Sequence, residues 1–295
     1  RIGSWESLLS GVGLVWDHYF FGDALAAGIA DTGLSAVVAP TLQDLSGPGA
    51  LFSAASGSSA QRAGGVDGAL QATHDLDAAG LDTIHAALGP HATDTVSPEL
   101  WSRVLDASET LGVPVHAHLA QSVEEVARAR ARSGRTPVGY LESLGVLERA
   151  RGVFAHALYV DRAEMRALAP RHTLVCCPYG QLIFGFVARL DEWEKSGVRW
   201  TVATDCAASN DSMSLRKELR FASGTRTLGT SYSDVYESFL AGEASAESVW
   251  HDRTERWNAG GSIADPFRLL DRVWSGAGSL HPKVRAGPHP IEQPE

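Results

Sequence analysis

Short apolar runs typical of buried β-strands alternate along the chain with segments of helical periodicity. Seven strands are predicted, at 13–19, 35–41, 83–88, 113–119, 152–158, 173–177 and 199–204. Apolar residues at helical spacing predict helices at 97–110 and 123–133. Gly112, Gly145 and Gly197 are predicted to end helices just before the next strands. This alternation predicts an α/β fold with a parallel sheet, either doubly wound or closed into a barrel.

Polar residues at several strand ends favour the barrel. The carboxyl ends of barrel strands share one mouth, whereas a doubly wound sheet places its site at one switch point. Seven strands are one short of a complete (β/α)8 barrel. We expect one barrel domain over 1–285, with helices at 233–240 and 245–257 and a long loop or the start of a helix over 53–68. Residues 286–295 have no core pattern and are predicted to form a tail.

Two histidines one residue apart, His116 and His118, lie near the end of the predicted strand 113–119. Alternate strand residues face one side, so both imidazoles are expected to point the same way. His156 and Asp205 interrupt or end two later apolar runs. Three imidazoles and a carboxylate at successive strand ends predict a site for a borderline metal ion. The alternatives are hydrogen-bonded core histidines and, for Asp205, a helix-capping or turn aspartate.

Other histidines and the cysteines are weaker candidates on position alone. His91 follows the strand 83–88 as a loop histidine, and His18 lies near the end of the first strand. Cys176, Cys177 and Cys206 all fall in apolar segments. That placement predicts unreactive buried thiols and a reducing, cytoplasmic location rather than a disulfide framework.

Composition narrows the class of protein and its partners. The chain has 295 residues, of which 44% are hydrophobic and 20% charged, as expected for one soluble globular domain. Its 25 basic and 35 acidic side chains give a formal charge of −10, and no candidate helix carries a Lys/Arg cluster of the kind that nucleic acid or anionic lipid requires. Nucleic acid and anionic lipid are therefore not expected as partners. Polar residues interrupt the apolar region 8–40, so no membrane-spanning helix is expected there.

Several stretches of the chain resemble the amidohydrolase superfamily. They are Pro114-Val-His-Ala-His-Leu-Ala, Phe154-Ala-His, Cys177-Pro-Tyr-Gly, Gly197-Val-Arg-Trp-Thr-Val-Ala-Thr-Asp and Lys217-Glu-Leu-Arg. More narrowly, they resemble the branch that holds methylthioadenosine/adenosylhomocysteine deaminases, guanine deaminase and triazine hydrolases. The similarity covers about residues 11–220 and includes the Gly-Pro-His-Ala segment at His91. It implies a (β/α)8 TIM barrel of the amidohydrolase type and a hydrolase that depends on Zn²⁺ or Fe²⁺.

The resemblance also implies a role for each matching residue. His118 and Asp205 match metal ligands, and His156 matches a histidine that binds a second metal or polarises the attacking water. His91 matches a loop histidine of the substrate pocket, which His116 is also expected to line. No lysine occurs in the strand 83–88, where relatives with two metals place a carbamylated lysine. One metal ion per subunit is therefore expected, with His118, Asp205 and His156 as its candidate ligands.

Two departures from the family pattern affect this interpretation. The family's opening strand carries a His-x-His pair of metal ligands, and no such pair precedes His116 in this sequence. We therefore expect the first barrel strand, and the small β-domain that both chain ends form, to be missing. The family's deaminases have a glutamate three residues after the metal histidine, where this chain has Gln121. Glutamine cannot transfer a proton, but it can hydrogen-bond a substrate carbonyl or ring nitrogen.

Taken with the residues, the resemblance predicts a hydrolase that cleaves a C–N or other C–X bond through a metal-activated water. The expected substrate is a small nitrogen heterocycle or amide. Asp205 is expected to accept the water proton, His156 to stabilise the nucleophile, and Gln121 to orient the substrate. One alternative is a catalytically silent or binding-only barrel, and another is a metal-independent enzyme that uses His116 or Cys177. A homodimer is compatible with the sequence.

Overall fold

The structure is a computed structural model that describes residues 1–45, 64–183 and 186–231. The predicted helices 233–240 and 245–257, the predicted tail 286–295 and most of the predicted loop 53–68 lie outside the described residues. No helix among the described residues has both the length and the apolar character that crossing a membrane requires.

Strands and helices alternate along the described chain, as the hydrophobic pattern predicts. The strands are β1 (Leu14–Tyr19), β2 (Ser35–Leu42), β3 (Ile84–Ala86), β4 (Gly89–Pro90), β5 (Val115–Leu119), β6 (Gly152–His156), β7 (Thr173–Cys176) and β8 (Arg199–Val202). The helices are α1 (Ile2–Leu9), α2 (Gly22–Ala30), α3 (Gly65–Ala79), α4 (Pro98–Leu111), α5 (Val123–Ser133), α6 (Pro137–Ser143), α7 (Val146–Arg149), α8 (Arg162–Leu168), α9 (Pro178–Ile183), α10 (Leu190–Ser196) and α11 (Leu215–Ser231).

All the strand pairs in the described residues are parallel, and they form two sheets. One sheet has the order β1-β2-β3, with β4 also paired to β2, and the other has the order β5-β6-β7-β8. A single bridge between Leu88 and Val115 joins them, supported by a 2.8 Å bond from the His116 N–H to the Leu88 carbonyl. The strands thus follow one another in chain order, which confirms the predicted α/β class.

Side chains on the two faces of the strands enter different hydrophobic clusters. The large core lies between strands and helices and includes Ala117, Leu119 and Phe154 from β5 and β6. Small residues on the opposite strand face form two separate clusters, one around Ala39 and one around Ala155. His116 and His118 alternate with Ala117 and Leu119, so they lie on the second face, with the small clusters.

The helix ends show which capping predictions are correct. Ser97 caps α4 through its hydroxyl, and Gly112 ends that helix in the left-handed region, with φ of 70°. Gly197 ends α10 in the same way, before β8. The prediction for Gly145 is wrong in one respect, because this left-handed glycine leads into the short helix α7 rather than into a strand. Helix α1 was not predicted, since its small and polar residues obscure the helical period.

Candidate functional site

His116 and His118 point into the same space, as the strand alternation predicts. His18, on β1, lies against both, with ring centroids 5.4 Å from His116 and 5.1 Å from His118. The Trp16 ring packs edge-on against His116 at 5.8 Å. The first strand therefore contributes an imidazole that its position in the sequence made only a weak candidate. The signal that could have found it is the two-residue spacing from Trp16, which places both side chains on one strand face.

His91 lies in the loop after β4 and fixes the orientation of His118. The Nδ1 atom of His118 is 2.8 Å from the His91 carbonyl oxygen, and the two rings lie 4.9 Å apart. The His118 Nδ1–H therefore donates to that carbonyl, which leaves the Nε2 lone pair available. His91 is itself oriented by a 2.8 Å contact between its Nδ1 atom and the Thr95 hydroxyl.

His156 reaches the cluster through an unusual backbone conformation. Its neighbour Phe154 packs in the core on the helix side, so regular alternation would place His156 on that side too. Instead His156 has a φ of 74°, and its ring stacks on His118 at 5.5 Å with an interplanar angle of 12°. A positive φ in a residue other than glycine is uncommon and is typical of functional sites.

Asp205 follows β8 and also has a left-handed backbone, with φ of 59°. Its Oδ1 atom accepts a 2.8 Å hydrogen bond from the Cys206 N–H, so part of the predicted turn role is present. The Asp205 charge also raises the pKa of His156 against larger opposing effects, which places the two groups within electrostatic range. A methyl group at Gly180 would lie 3.6 Å from Oδ2 of Asp205 and 3.1 Å from the Ser209 carbonyl.

Three imidazoles of the cluster, those of His91, His116 and His156, are held in their neutral form. Burial is the main reason that the pKa of His91 falls to about 3, and His118 lowers it further. Burial and the same neighbour lower the pKa of His116 to about 3. The pKa of His156 falls to about 4 for these reasons, despite the opposing effect of Asp205. Neutral imidazoles can ligate a metal or hydrogen-bond a substrate at neutral pH.

Two buried glutamates that were not among the candidates hold the loops of the site. Glu125, on α5, accepts a 2.6 Å bond from the Thr93 hydroxyl and a 2.9 Å bond from the Gln121 N–H. It thereby ties the loop of His91 to the loop that follows β5. Glu218, on α11, accepts bonds from the Tyr179 N–H and the Asn210 side chain, at 2.8 and 2.7 Å.

The Asn210 amide also donates to the Thr204 carbonyl at 2.7 Å, which extends the Glu218 contacts to the residue before Asp205. Glu218 therefore joins the loops that follow β7 and β8. The one sequence signal for Glu125 is its position three residues after Ser122, whose hydroxyl accepts a 3.2 Å bond from the Glu125 N–H at the start of α5. Glu218 lies in the Lys217-Glu-Leu-Arg stretch, whose pattern carries no indication of this role.

The remaining candidates are positioned differently. The Gln121 side chain is half-buried, three residues beyond His118, and its backbone is held by Glu125. Cys176 and Cys177 are buried free thiols, as predicted, and burial raises the pKa of Cys177 well above 9. The prediction for Cys206 is wrong, because this thiol is exposed on the turn after Asp205 rather than buried in a strand. All three cysteines are free.

The donor atoms have the chemistry that a borderline metal ion requires, but their set is incomplete. The His118 Nε2 atom is available, and both ring nitrogens of His18 and the Nδ1 atom of His116 are buried without hydrogen-bond partners among the described residues. However, no group of three His, Cys, Asp or Glu side chains within residues 1–45, 64–183 and 186–231 is arranged to hold a metal ion. These residues alone do not form a complete metal centre.

Comparison with known proteins gives one consistent result. The model of the amidohydrolase family matches residues 1–243. A 5-methylthioadenosine/S-adenosylhomocysteine deaminase of Archaeoglobus fulgidus is 31% identical over 217 residues, which cover 73% of this chain and 49% of that relative.

Solved structures give the same fold. An adenosine deaminase from Xanthomonas campestris, solved with bound zinc, superimposes with a TM-score of 0.68 and 25% identity, over 78% of this chain and 50% of that one. For a triazine hydrolase from Arthrobacter aurescens the TM-score is 0.64 and the identity 23%, over 76% of this chain and 51% of that one. The chain thus spans about half the length of these relatives. The resemblance seen in the sequence is confirmed, and the chain belongs to the amidohydrolase family.

Proposed function

We propose that this chain belongs to a metal-dependent hydrolase that cleaves a C–N bond of a nitrogen-containing small molecule. The observation that carries the proposal is the His118–His156 pair, two stacked imidazoles at neighbouring strand ends, with the Nδ1 atom of His118 engaged by a carbonyl. Because Nδ1 is hydrogen-bonded to the carbonyl, the Nε2 atom of His118 remains as an electron-pair donor for a cation. The family membership and the deaminase and hydrolase names of the relatives support the same reaction class.

His118, Asp205 and His156 are the residues proposed to hold the metal, one Zn²⁺ or Fe²⁺ per subunit. Since they do not complete a ligand set among the described residues, we assign no coordination geometry. Such a cation, when bound, lowers the pKa of water and so supplies a nucleophile near neutral pH. In this proposal Asp205 accepts the proton of the attacking water, since a carboxylate can act as a general base. Its charge lies within electrostatic range of His156.

The substrate is proposed to bind among the neutral imidazoles of His91 and His116, with Gln121 at the edge of the site. Neutral imidazoles offer one donor and one acceptor each, which suits the edge of a nitrogen heterocycle or an amide. Gln121 can orient such a group but cannot transfer a proton. The reaction is therefore proposed at the level of C–N or other C–X hydrolysis, with deamination as one member of that class.

Metal analysis tests the proposal against the alternative of a silent or binding-only barrel. In equilibrium dialysis against Zn²⁺ or Fe²⁺, we expect the wild type to bind up to about one equivalent of metal, and His118→Ala and Asp205→Ala to bind much less. His74→Ala, on the exposed side of α3, serves as the control and should retain the metal. Stoichiometric metal in both site variants, or none in the wild type, would overturn the assignment.

Turnover is tested by ammonia release from 5′-methylthioadenosine, S-adenosylhomocysteine and 5′-deoxyadenosine. These compounds follow the names of the relatives. Sensitivity to a chelator separates the proposed reaction from a metal-independent one based on His116 or Cys177. The Cys177 route is disfavoured because burial, aided by Asp205, keeps the thiol protonated.

A further inference from the structure

His18 is a half-buried residue whose two ring nitrogens are buried and form no well-made hydrogen bond among the described residues, although the Gly89 backbone lies close enough to influence its pKa. Its ring lies 5.1 Å from His118, 5.4 Å from His116 and 6.0 Å from His91. A buried polar group without a partner costs about 1–3 kcal/mol, so such groups are rare in folded proteins. Among the described residues, the candidate site therefore contains both His18 nitrogens, and the Nδ1 atom of His116, without hydrogen-bond partners.

His172 is a buried histidine of the same chain, and both of its ring nitrogens have hydrogen-bond partners. His172 is buried against β6, where its Nδ1 atom accepts a 3.0 Å bond from the Gly152 N–H. Its Nε2 atom is 3.1 Å from the Leu147 carbonyl, to which it donates. His172 thus shows how a core histidine is accommodated in this fold. His18 departs from that pattern inside the candidate site, where a ligand could provide the missing partners.

The chemistry of His18 defines what such a ligand presents. Both ring nitrogens of His18 are available for hydrogen bonding, since neither has a partner among the described residues. A neutral imidazole has one N–H donor and one lone pair on opposite sides of the ring. It therefore fits a neutral polar group, such as a ring nitrogen or an exocyclic amine of a nitrogen heterocycle. A cationic ligand group would gain less from it than from a carboxylate.

We propose that His18 is a substrate-recognition residue, which hydrogen-bonds the polar edge of a nitrogen-heterocyclic substrate. The inference rests on the proposed function, because it places that substrate among His18, His91 and His116. It adds a recognition group from β1 to the candidates on the later strands. Since His18 would act through binding rather than through metal ligation, its loss should leave the metal content unchanged.

Stability measurements test the first part of the inference without any activity assay. We compare His18→Leu with His172→Leu by urea and thermal unfolding. His18→Leu should unfold at or above the wild-type midpoint, because it removes two buried nitrogens that form no well-made hydrogen bond with the part of the chain that the structure describes. His172→Leu should unfold earlier, because it strands the Gly152 N–H and the Leu147 carbonyl. An equal loss of stability in the two variants would identify His18 as a structural residue.

Binding and turnover of 5′-methylthioadenosine test the second part. We expect His18→Leu to raise KM about tenfold, the value of one neutral hydrogen bond, with kcat changed much less and the zinc content unchanged. His18→Gln should recover part of the affinity, because its amide can both donate and accept. An unchanged KM in His18→Leu would overturn the inference, and so would a loss of zinc comparable to that of His118→Ala.

The binding and turnover results can contradict the role of His18 and the hydrolase proposal independently of each other. Wild-type protein that binds 5′-methylthioadenosine in a thermal-shift assay but does not hydrolyse it would overturn only the hydrolase proposal, provided that His18→Leu loses the shift. Hydrolysis with the same KM in both proteins would overturn only the role of His18. Wild-type protein that neither binds nor hydrolyses this probe, S-adenosylhomocysteine or 5′-deoxyadenosine would overturn both.

Discussion

Two residues of the candidate site are held in backbone conformations that their side chains disfavour. His156 and Asp205 both have positive φ, and Ala120 and Ala157 beside the site share this feature. Each such residue costs on the order of 1–3 kcal/mol, which the surrounding structure must offset. The sequence locates His156 and Asp205 at strand ends, but a period of two cannot indicate the turn that directs His156 toward His118. Backbone strain is therefore what completes the pairing.

Asp94, in the His91 loop, makes the stability of the protein depend on pH. Burial, together with the nearby Glu125, raises the pKa of Asp94 to about 6. The folded state thus holds this proton more tightly than the unfolded state, whose aspartate has a pKa near 3.9. The stabilisation is complete below about pH 4 and is lost as the pH rises through 6. It amounts to at most about 3 kcal/mol.

We therefore expect Asp94→Asn to become more stable relative to the wild type as the pH rises from 4 to 7. Urea unfolding at several pH values measures the difference. Asp82→Asn, at an exposed aspartate, is the matched control and should show no such trend. If the free energies of unfolding of the wild type and Asp94→Asn differ by the same amount from pH 4 to pH 7, the raised pKa of Asp94 is contradicted.

At the scale of elements, the predictions succeed where one local signal is strong. Helix α5 spans Val123–Ser133, as its apolar spacing predicts, and Ser97 with Pro98 marks the start of α4. Of the strand predicted over 83–88, only Ile84–Ala86 forms β3, and a division separates it from β4 (Gly89–Pro90), which lies beyond the predicted range. Sequence periodicity could not reveal this division, because the break depends on pairing with β2 rather than on any residue within the run.

Helix α11 contributes to the site through Glu218 rather than through a residue at the strand ends. The Glu218 carboxylate accepts from two N–H donors, the backbone of Tyr179 and the amide of Asn210. Glutamine has one acceptor oxygen and would turn its own NH₂ group toward the other donor. We expect Glu218→Gln to destabilise the protein by about 2 kcal/mol in urea unfolding.

Glu142→Gln, at an exposed glutamate of α6, should leave stability within about 0.5 kcal/mol of the wild type. The loops joined by Glu218 lead to Asp205, so the Glu218→Gln variant should also retain less zinc than Glu142→Gln. Equal unfolding midpoints for the two variants would show that α11 does not hold these loops together.

For the whole molecule, the joint between the two sheets determines whether the site can form. His18 and His91 belong to the first sheet and the loop after it, whereas His118 and His156 belong to the second. The contacts that join these halves include the Leu88–Val115 bridge and the bonds from the His116 and His118 N–H groups to the Leu88 and His91 carbonyls. The candidate site is therefore a product of sheet association rather than of either sheet alone.

Gly89 directly follows Leu88 of this joint and lies in β4, which pairs with β2 inside the first sheet. A methyl group there would lie 2.7 Å from the Pro40 carbonyl oxygen and 2.8 Å from the Ala39 carbonyl oxygen. Both atoms belong to the backbone, so the clash cannot be relieved by a change of rotamer, and a strand must move. We expect Gly89→Ala to destabilise the protein by about 2–3 kcal/mol in urea unfolding.

Gly3→Ala provides the opposite control, because no atom would lie within 4 Å of its methyl group and the residue is in helix α1. That substitution should leave stability unchanged or raise it by up to about 1 kcal/mol. If Gly89→Ala displaces β4 from β2, the loop that carries His91 shifts relative to His118, and the zinc content should fall even though no proposed ligand has been changed. Wild-type stability and zinc content in Gly89→Ala would show that the two halves of the site do not depend on this contact.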